Sequence, residues 1–406
     1  MIEKACKPEF KKKYRVLLMD NSVHMFKGGG QVFFSQLQSI VLMEKDMDLK
    51  VLNSESLTAD PINRTVCRFI DAVTKSLMAI FPSFTIAGQA TTFLENVNYY
   101  IRLRRLSHKI PRGERFDLIV SNDLTDLFII EKRNLKAVNL ILVFHNPFIR
   151  EIFADSSKQG LAKEVFDVRS YVDRSVSRFK ATMVVINREQ ERILSERYQS
   201  TIVNIPNGID TDIYSPQQTS GCENLDLLFV GRLDESQKRI STLIKIVAEV
   251  GEAKLTIVGD GPSRHFYEEL ITASDLERRV RLLGHVGDRE KIESYRKAKL
   301  FVSASLNEGL SYTFLEAMSC GLPIVSFPNG ASLELIDNGK NGYVVESGDE
   351  FISILREMAH SMGKIREMGN SARKTILERY SLESMSRSYI TLIRDNLTRM
   401  DSSRKR

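Results

Sequence analysis

The sequence predicts an α/β protein of two domains, each an open parallel sheet wrapped by helices. Three observations predict it. Short apolar runs of strand length alternate with segments of helical period along most of the 406 residues. The alternation breaks at the turn signal Pro206-Asn207-Gly208-Ile209-Asp210 and then starts afresh, which places a boundary at 206–224 with Ser215–Asn224 as a polar linker. In the second series, four successive strands end near 231, 259, 284 and 305 in loops of glycine and polar residues. Such tips let a ligand approach the backbone along one sheet edge, where open parallel sheets hold their ligands.

Composition narrows the class. Hydrophobic residues make up 42% and charged residues 27%, as in ordinary soluble domains. Cys6, Cys67, Cys222 and Cys320 are scattered with no CxxC pair, which predicts reduced thiols in a cytoplasmic protein. Lys11, Lys12 and Lys13 precede only four apolar residues, too few for a signal peptide, and no run approaches the ~20 apolar residues of a spanning helix. The net charge of +6 is uneven: residues 1–200 hold 31 Lys and Arg against 23 Asp and Glu, while residues 201–406 hold 27 against 29. The basic first half suits a phosphorylated or lipid-linked acceptor or peripheral contact with an anionic membrane on its cytoplasmic face. No nucleic-acid motif accompanies the charge, so nucleic acid is not expected as a partner.

Taken in order, Tyr14–Asp20 reads as the first strand, His24–Gly30 as a glycine loop, and about 31–44 as an amphipathic helix. The loop lacks the GxGxxG spacing of dinucleotide sites, and His24 has no stronger claim than a loop residue. Phe69, Ile70, Val73, Leu77, Ile80 and Phe81 recur at helical spacing, which fits a helix packed on its own sheet better than one facing a membrane. Arg102, Arg104, Arg105, His108, Lys109, Arg112 and Arg115 form a basic run, either a solvated face or a contact for an anionic acceptor. Strands follow at 116–120, 139–144, 182–186 and 201–205, with a helix near 123–133. His145 closes the 139–144 strand just before Pro147. That position suits an imidazole touching substrate or a hydrogen-bonded structural histidine, and the residues leave both open.

In the second half the strand Leu227–Val230 runs into Gly231 and Arg232. A loop with Lys238 and Arg239 follows, which puts positive charge at a strand's carboxyl end, where it would stabilise a departing phosphate. The tips at Gly259 and at Gly284-His285-Val286 repeat the arrangement. Leu300–Ser305 is a buried strand, and 311–320 is a helix stopped by Gly321 and Pro323. Glu308 lies in the loop between them and Glu316 in the helix, while the amides of Gly309, Leu310 and Ser311 stand at the helix N-terminus, where the backbone dipole favours an anion. Two carboxylates flanking an anion-seeking helix end suit a phosphate held between two polyols, as in a sugar nucleotide. Asp210-Thr211-Asp212 resembles an acidic metal triplet, but nothing near it in sequence completes a shell, so no metal is expected.

The ordered series Pro206–Asp210, Val230-Gly231-Arg232-Leu233 with Lys238, Val258–Pro262, and Ser305–Gly309 through Glu316–Val325 resembles the large group 1 (family 4) retaining nucleotide-sugar glycosyltransferases. Glu308 and Glu316 match that family's Glu-x7-Glu pair. The resemblance is clear over about 200–345 and fainter before it. It implies a GT-B fold, two Rossmann-like domains facing across a cleft. The acceptor side would be 1–206, the donor side 207–381, and 382–406 a helix crossing back to the first domain plus a basic tail. It implies Arg232 and Lys238 on the donor diphosphate, Glu316 on the ribose and Glu308 on the transferred sugar. Gly309 and Leu310 would lie near phosphate or sugar, His145 on the sugar, Gly29 and Gly30 near the diphosphate, and Gly284–Val286 by the base. The gap from Arg232 to Lys238 is one residue longer than the family commonly shows, so Arg239 is a second candidate for the lysine's role. The function expected is metal-independent, cofactor-free transfer of a sugar to a hydroxyl acceptor. A sugar-nucleotide epimerase or hydrolase and a non-catalytic partner subunit are the rival readings.

Overall fold

The computed structural model describes residues 13–20, 29–53, 107–122, 126–145, 168–179, 181–217 and 225–404. The His24–Gly28 part of the glycine loop, the helical pattern from Phe69 to Phe81, Arg102, Arg104, Arg105, Pro147 and linker residues 218–224 lie outside the described residues.

Among the described residues, two six-stranded sheets organise the molecule. The first contains β1 (Tyr14–Asp20), β2 (Met47–Asn53), β3 (Arg115–Ser121), β4 (Lys136–Phe144), β5 (Thr182–Val185) and β6 (Ile202–Asn204), in the order β2-β1-β3-β4-β5-β6. The second contains β7 (Leu225–Val230), β8 (Ala253–Val258), β9 (Val280–Gly284), β10 (Leu300–Ser303), β11 (Ile324–Ser326) and β12 (Gly342–Val344), in the order β12-β11-β10-β7-β8-β9. Every pairing is parallel. Parallel strands are covered on both faces, which explains the unbroken apolar runs. Successive residues still serve different layers: Val16 and Leu18 join one core cluster while Leu17 and Met19 join another, and Leu228 and Phe229 divide in the same way.

Five helices position the site: α1 (Gly29–Leu42), α2 (Arg188–Arg197), α3 (Asp288–Lys297), α4 (Tyr312–Ser319) and α5 (Leu382–Arg404). The last returns to the first domain. Its Met385, Tyr389, Ile393 and Leu397, one turn apart, are buried in a cluster that also holds Val16 and Phe33 of the first domain and Phe314 and Leu315 of the second. Each such fully buried large side chain contributes about 2 kcal/mol. Asn139 Nδ2 donates to the Asn396 carbonyl at 2.6 Å, and Arg394 pairs with Glu44. The chain crosses between domains twice, and the crossings are stitched together. Ile209 N donates to Tyr380 O and Leu382 N to Ile209 O. A Cβ on Gly208 would meet Leu382, Met385 and Ser381 at 2.8 Å, so only glycine allows this approach.

Several boundaries depart from the sequence reading. Gly29 and Gly30 are the opening residues of α1 rather than loop, β10 ends at Ser303, and α4 starts at Tyr312. The loop expected to carry Lys238 and Arg239 contains a single helical turn, Glu235–Lys238, which Arg239 in the left-handed conformation (φ 46°) separates from the helix Ile240–Glu249.

Candidate active site

The loop after β10 and the start of α4 form the centre of the site. Ser311 is the extended N-cap residue of α4. The amides of Gly309, Leu310 and Ser311, which lead into the helix, donate to no protein acceptor among the described residues. Glu308 projects from this loop into an ion pair with Lys238, and both side chains are mostly buried. Lys238 ends the single turn Glu235–Lys238, which Asp234 caps by accepting from Ser236 N at 3.1 Å. Leu306 N donates to Gln237 O at 2.9 Å and Gln237 Nε2 to Asn307 O at 3.2 Å, so the two loops are tied along their backbones as well.

The left-handed turn at Arg239 sends consecutive cations in different directions. Lys238 faces Glu308, while the Arg239 guanidinium donates to Ala304 O at 3.0 Å and lies over the Phe327 ring. Arg232, at the tip of β7, is exposed. Glycines make the rim thin. A Cβ at Gly231 would lie 3.9 Å from Lys238 Cε, and one at Gly259 (φ +133°) would fall 1.9 Å from the Gly231 carbonyl oxygen. Gly259 N donates to Gly284 O at 2.8 Å, which sets the β8 and β9 tips side by side, with His285 exposed just beyond. Val286 packs on the shared cluster.

Glu316 is buried on α4 at 6% exposure. Its Oε1 accepts from Lys291 Nζ at 2.9 Å and its Oε2 from the Tyr295 hydroxyl at 2.7 Å, two donors one turn apart on α3. Burial works against charge on Lys291, yet the Glu316 carboxylate holds its ammonium above the usual value. Burial, and then Glu316, push the Tyr295 phenol well above its own. Each Glu316 oxygen keeps accepting capacity for a further donor.

Across the cleft, His145 caps β4 with its ring 4.0 Å from the Phe33 ring of α1. The ring as a whole is half-buried, but its Nε2 is enclosed and has no hydrogen-bond partner among the described residues. Burial depresses the imidazole pKa to about 3, so it is neutral at physiological pH. Three contacts join the halves at the loop itself. Asn187 Nδ2 donates to Gly309 O at 3.1 Å, Asn207 Nδ2 to Leu310 O at 3.0 Å, and the Tyr312 hydroxyl to Gln36 Oε1 at 3.1 Å. Asn187 follows β5 and Gly309 follows β10, so the carboxyl edges of the two sheets face each other.

The structure thus brings Lys238, Glu308 and Gly231 together at the second sheet's rim with Gly259, the amides of Gly309, Leu310 and Ser311, and Arg232. Glu316 lies one helical step behind, and His145 stands on the opposing rim. Gly29 and Gly30 open α1, whose Gln36 reaches α4. Asp210 Oδ1 accepts from Asp212 N and Ile213 N at 3.0 Å, a turn-capping role. Lys291, Tyr295, Asn187 and Gln36 went unread in the sequence, and Asn207 reads only as part of a turn signal. Only the four-residue spacing of Lys291 and Tyr295 offered a signal.

Residues 224–361 match the family described as glycosyl transferases group 1. Among curated proteins, the chain is 24% identical over 260 residues to a probable sucrose-phosphate synthase of Thermosipho melanesiensis, covering 59% of this chain and 60% of that one. It is 28% identical over 207 residues to the phosphatidyl-myo-inositol mannosyltransferase of Mycobacterium leprae, covering 48% and 53%. It is 26% identical over 281 residues to the N-acetyl-alpha-D-glucosaminyl L-malate synthase of Bacillus anthracis, covering 64% and 68%. The matches therefore span little more than half to two-thirds of these relatives. Among solved structures, Anabaena HepE in complex with UDP and glucose superposes at TM-score 0.64 with 17% identity, over 94% of this chain and all of that one. The sucrose-phosphate synthase of Thermosynechococcus elongatus superposes at 0.68 with 16% identity, over 94% and 99%. These structures share the GT-B arrangement of two Rossmann-like domains seen here.

Proposed function

We propose that the chain is a group 1 glycosyl transferase, a reading that the family match over residues 224–361 supports, and that it moves a hexose or related sugar from a nucleoside diphosphate to a hydroxyl acceptor, with retention of configuration and without a metal ion. The observation that carries the reading is the Lys238–Glu308 pair beside the amides of Gly309, Leu310 and Ser311, which have no acceptor among the described residues. Lys238, Arg232 and the positive end of α4 supply the charge for a diphosphate. On donor binding, the Lys238 ammonium exchanges the Glu308 carboxylate for phosphate oxygen, which frees Glu308 to accept from the sugar's hydroxyls. A cation about 4 Å from a phosphate charge contributes up to about 4 kcal/mol at an intermediate dielectric, and more of it is felt as the leaving group gains charge.

Glu316, held by Lys291 and Tyr295, accepts from the ribose hydroxyls, and neutral His145 offers Nε2 to the sugar from the opposing domain. The acceptor hydroxyl attacks the anomeric carbon on the face the diphosphate leaves. The carbon–phosphate oxygen bond breaks, the new glycosidic bond forms, and the acceptor's proton passes to the departing phosphate. No protein nucleophile is assigned. The relatives carry names with lipid and small-acid acceptors, and a glycan, lipid-linked or phosphorylated hydroxyl compound suits the basic first domain. No helix among the described residues is long and apolar enough to cross a membrane.

A thermal-shift panel of UDP-glucose, UDP-N-acetylglucosamine and GDP-mannose tests the donor. A ligand at a hundred times its dissociation constant adds about 2.7 kcal/mol. Transfer assays with and without EDTA, with the product's anomeric configuration read by NMR, test the rest. Free sugar or an epimer formed from donor alone would move the reading to a hydrolase or epimerase. No shift and no turnover with any donor would overturn it.

A further inference from the structure

We propose that Asn187 and Asn207 are positioning residues that aim the Leu310 and Ser311 amides, so that the donor loop takes up its working geometry only while the first domain is closed on the second. Asn187 caps α2, its Oδ1 accepting from Gln190 N at 2.9 Å, which leaves its Nδ2 free to reach across to Gly309 O at 3.1 Å. Asn207, from the crossing between domains, reaches Leu310 O at 3.0 Å. Both side chains are nearly inaccessible, at 2% and 3% exposure, so solvent does not compete for these bonds.

The two receiving carbonyls belong to consecutive peptide units. In a trans peptide the N–H points opposite to the C=O. A donor fixed on Gly309 O therefore sets the direction of Leu310 N–H, and one on Leu310 O sets that of Ser311 N–H. It also polarises each unit, which strengthens the amide facing away as a donor. Those amides are two of the three that find no acceptor among the described residues. The loop's other side is fixed within its own domain: a Cβ on Gly330 would stand 2.4 Å from Glu308 O, and Asn329 Nδ2 donates to Ser305 O at 3.2 Å. The loop is therefore held on one side by its own domain, at Leu310 by Asn207 of the crossing, and at Gly309 by Asn187, which comes from the first domain. Tyr312 OH on Gln36 adds a third cross-domain tie one residue further on.

The inference rests on the transferase reading for its catalytic meaning and on geometry alone for the brace. Asn187→Ser keeps an N-cap oxygen for α2 and is too short to reach Gly309. In that variant we expect kcat to fall about tenfold to a hundredfold, as loss of aim at a developing charge predicts, with donor KM changed less than about twofold. Amide exchange over 306–312 should quicken while protection of α2 is kept. Asn207→Ser should act in the same direction. Wild-type kcat with unchanged exchange would overturn the proposal, as would loss of α2 protection in step with the loop. A wild-type chain without turnover, whose Asn187→Ser variant still loosens 306–312, would overturn the transferase reading and support the brace.

Discussion

Lys238 and Glu308 form an ion pair across 70 residues of sequence, at the place where the proposed donor would set its diphosphate and its sugar. Each neutralises the other until the donor arrives, so losing either changes two things. Lys238→Ala removes phosphate charge and leaves a mostly buried carboxylate without its partner. Glu308→Gln keeps the shape but removes the negative charge and replaces one of the two accepting oxygens by an NH2 donor. Each should lower kcat about a hundredfold, in the range found for losing one charge-stabilising group at a reaction centre. Stability should fall by only about 1–3 kcal/mol. Steady-state kinetics beside thermal midpoints checks both. Wild-type turnover in both variants would overturn the assignment.

Tyr295 is expected to act on donor affinity rather than on rate. Its hydroxyl fixes Glu316 Oε2 at 2.7 Å, and Glu316 is assigned to the ribose, remote from the bond that breaks. Tyr295→Phe removes one hydrogen bond worth about 1 kcal/mol, so donor KM should rise about fivefold with kcat nearly unchanged. Lys291 stays on Oε1 and should prevent a larger loss. A fall in kcat at constant KM would place Glu316 at the chemistry instead.

Much of this was legible because it is local. Strand–helix alternation follows from periodicity, the rim positions of Gly231, Lys238 and Glu308 follow from where strands end, and Glu316 follows from the helix after the last of these loops. What escaped reading is set by contacts between distant segments. Asn207 sits in a turn signal and reads as a turn former, yet its side chain reaches a carbonyl 103 residues away. Arg239 looks as well placed as Lys238 until its left-handed backbone turns it toward Ala304 and Phe327. Glycines before a helix read as loop, whereas Gly29 and Gly30 are already helical because packing of Phe33, Phe34 and Leu37 holds the helix in place.

Gly259 should tolerate no side chain. Its φ of +133° is a conformation that L residues rarely adopt, and the added Cβ would stand 1.9 Å from a backbone oxygen of Gly231 that has no room to yield. Gly259→Ala should cost at least about 3 kcal/mol, strain and displacement together. The shift of Gly231 beside Lys238 should take turnover with it. Gly251→Ala, with nothing within 4 Å of the new methyl, is the control and should stay within about 1 kcal/mol of wild type. Denaturant melts of both variants decide the matter, and equal midpoints would contradict the close approach of the β7 and β8 tips.

His145 carries a pH dependence whose sign follows from its surroundings. Enclosure of Nε2 beside the Phe33 ring lowers its pKa from the ordinary 6.5 to about 3. Above pH 6.5 neither the folded nor the unfolded chain protonates this ring, and its contribution to stability is fully present. Below 6.5 the unfolded chain binds a proton that the folded chain refuses, so stability is lost progressively as pH falls toward 3. Thermal midpoints measured from pH 7.5 down to 4.5 should therefore fall more steeply for wild type than for His145→Gln, which has nothing to titrate there. Parallel slopes would show that the ring protonates normally in the fold. Turnover should show no ionisation of this histidine between pH 5 and 8. An imidazole that is neutral throughout that window can accept from or donate to a sugar hydroxyl without adding charge beside the departing diphosphate.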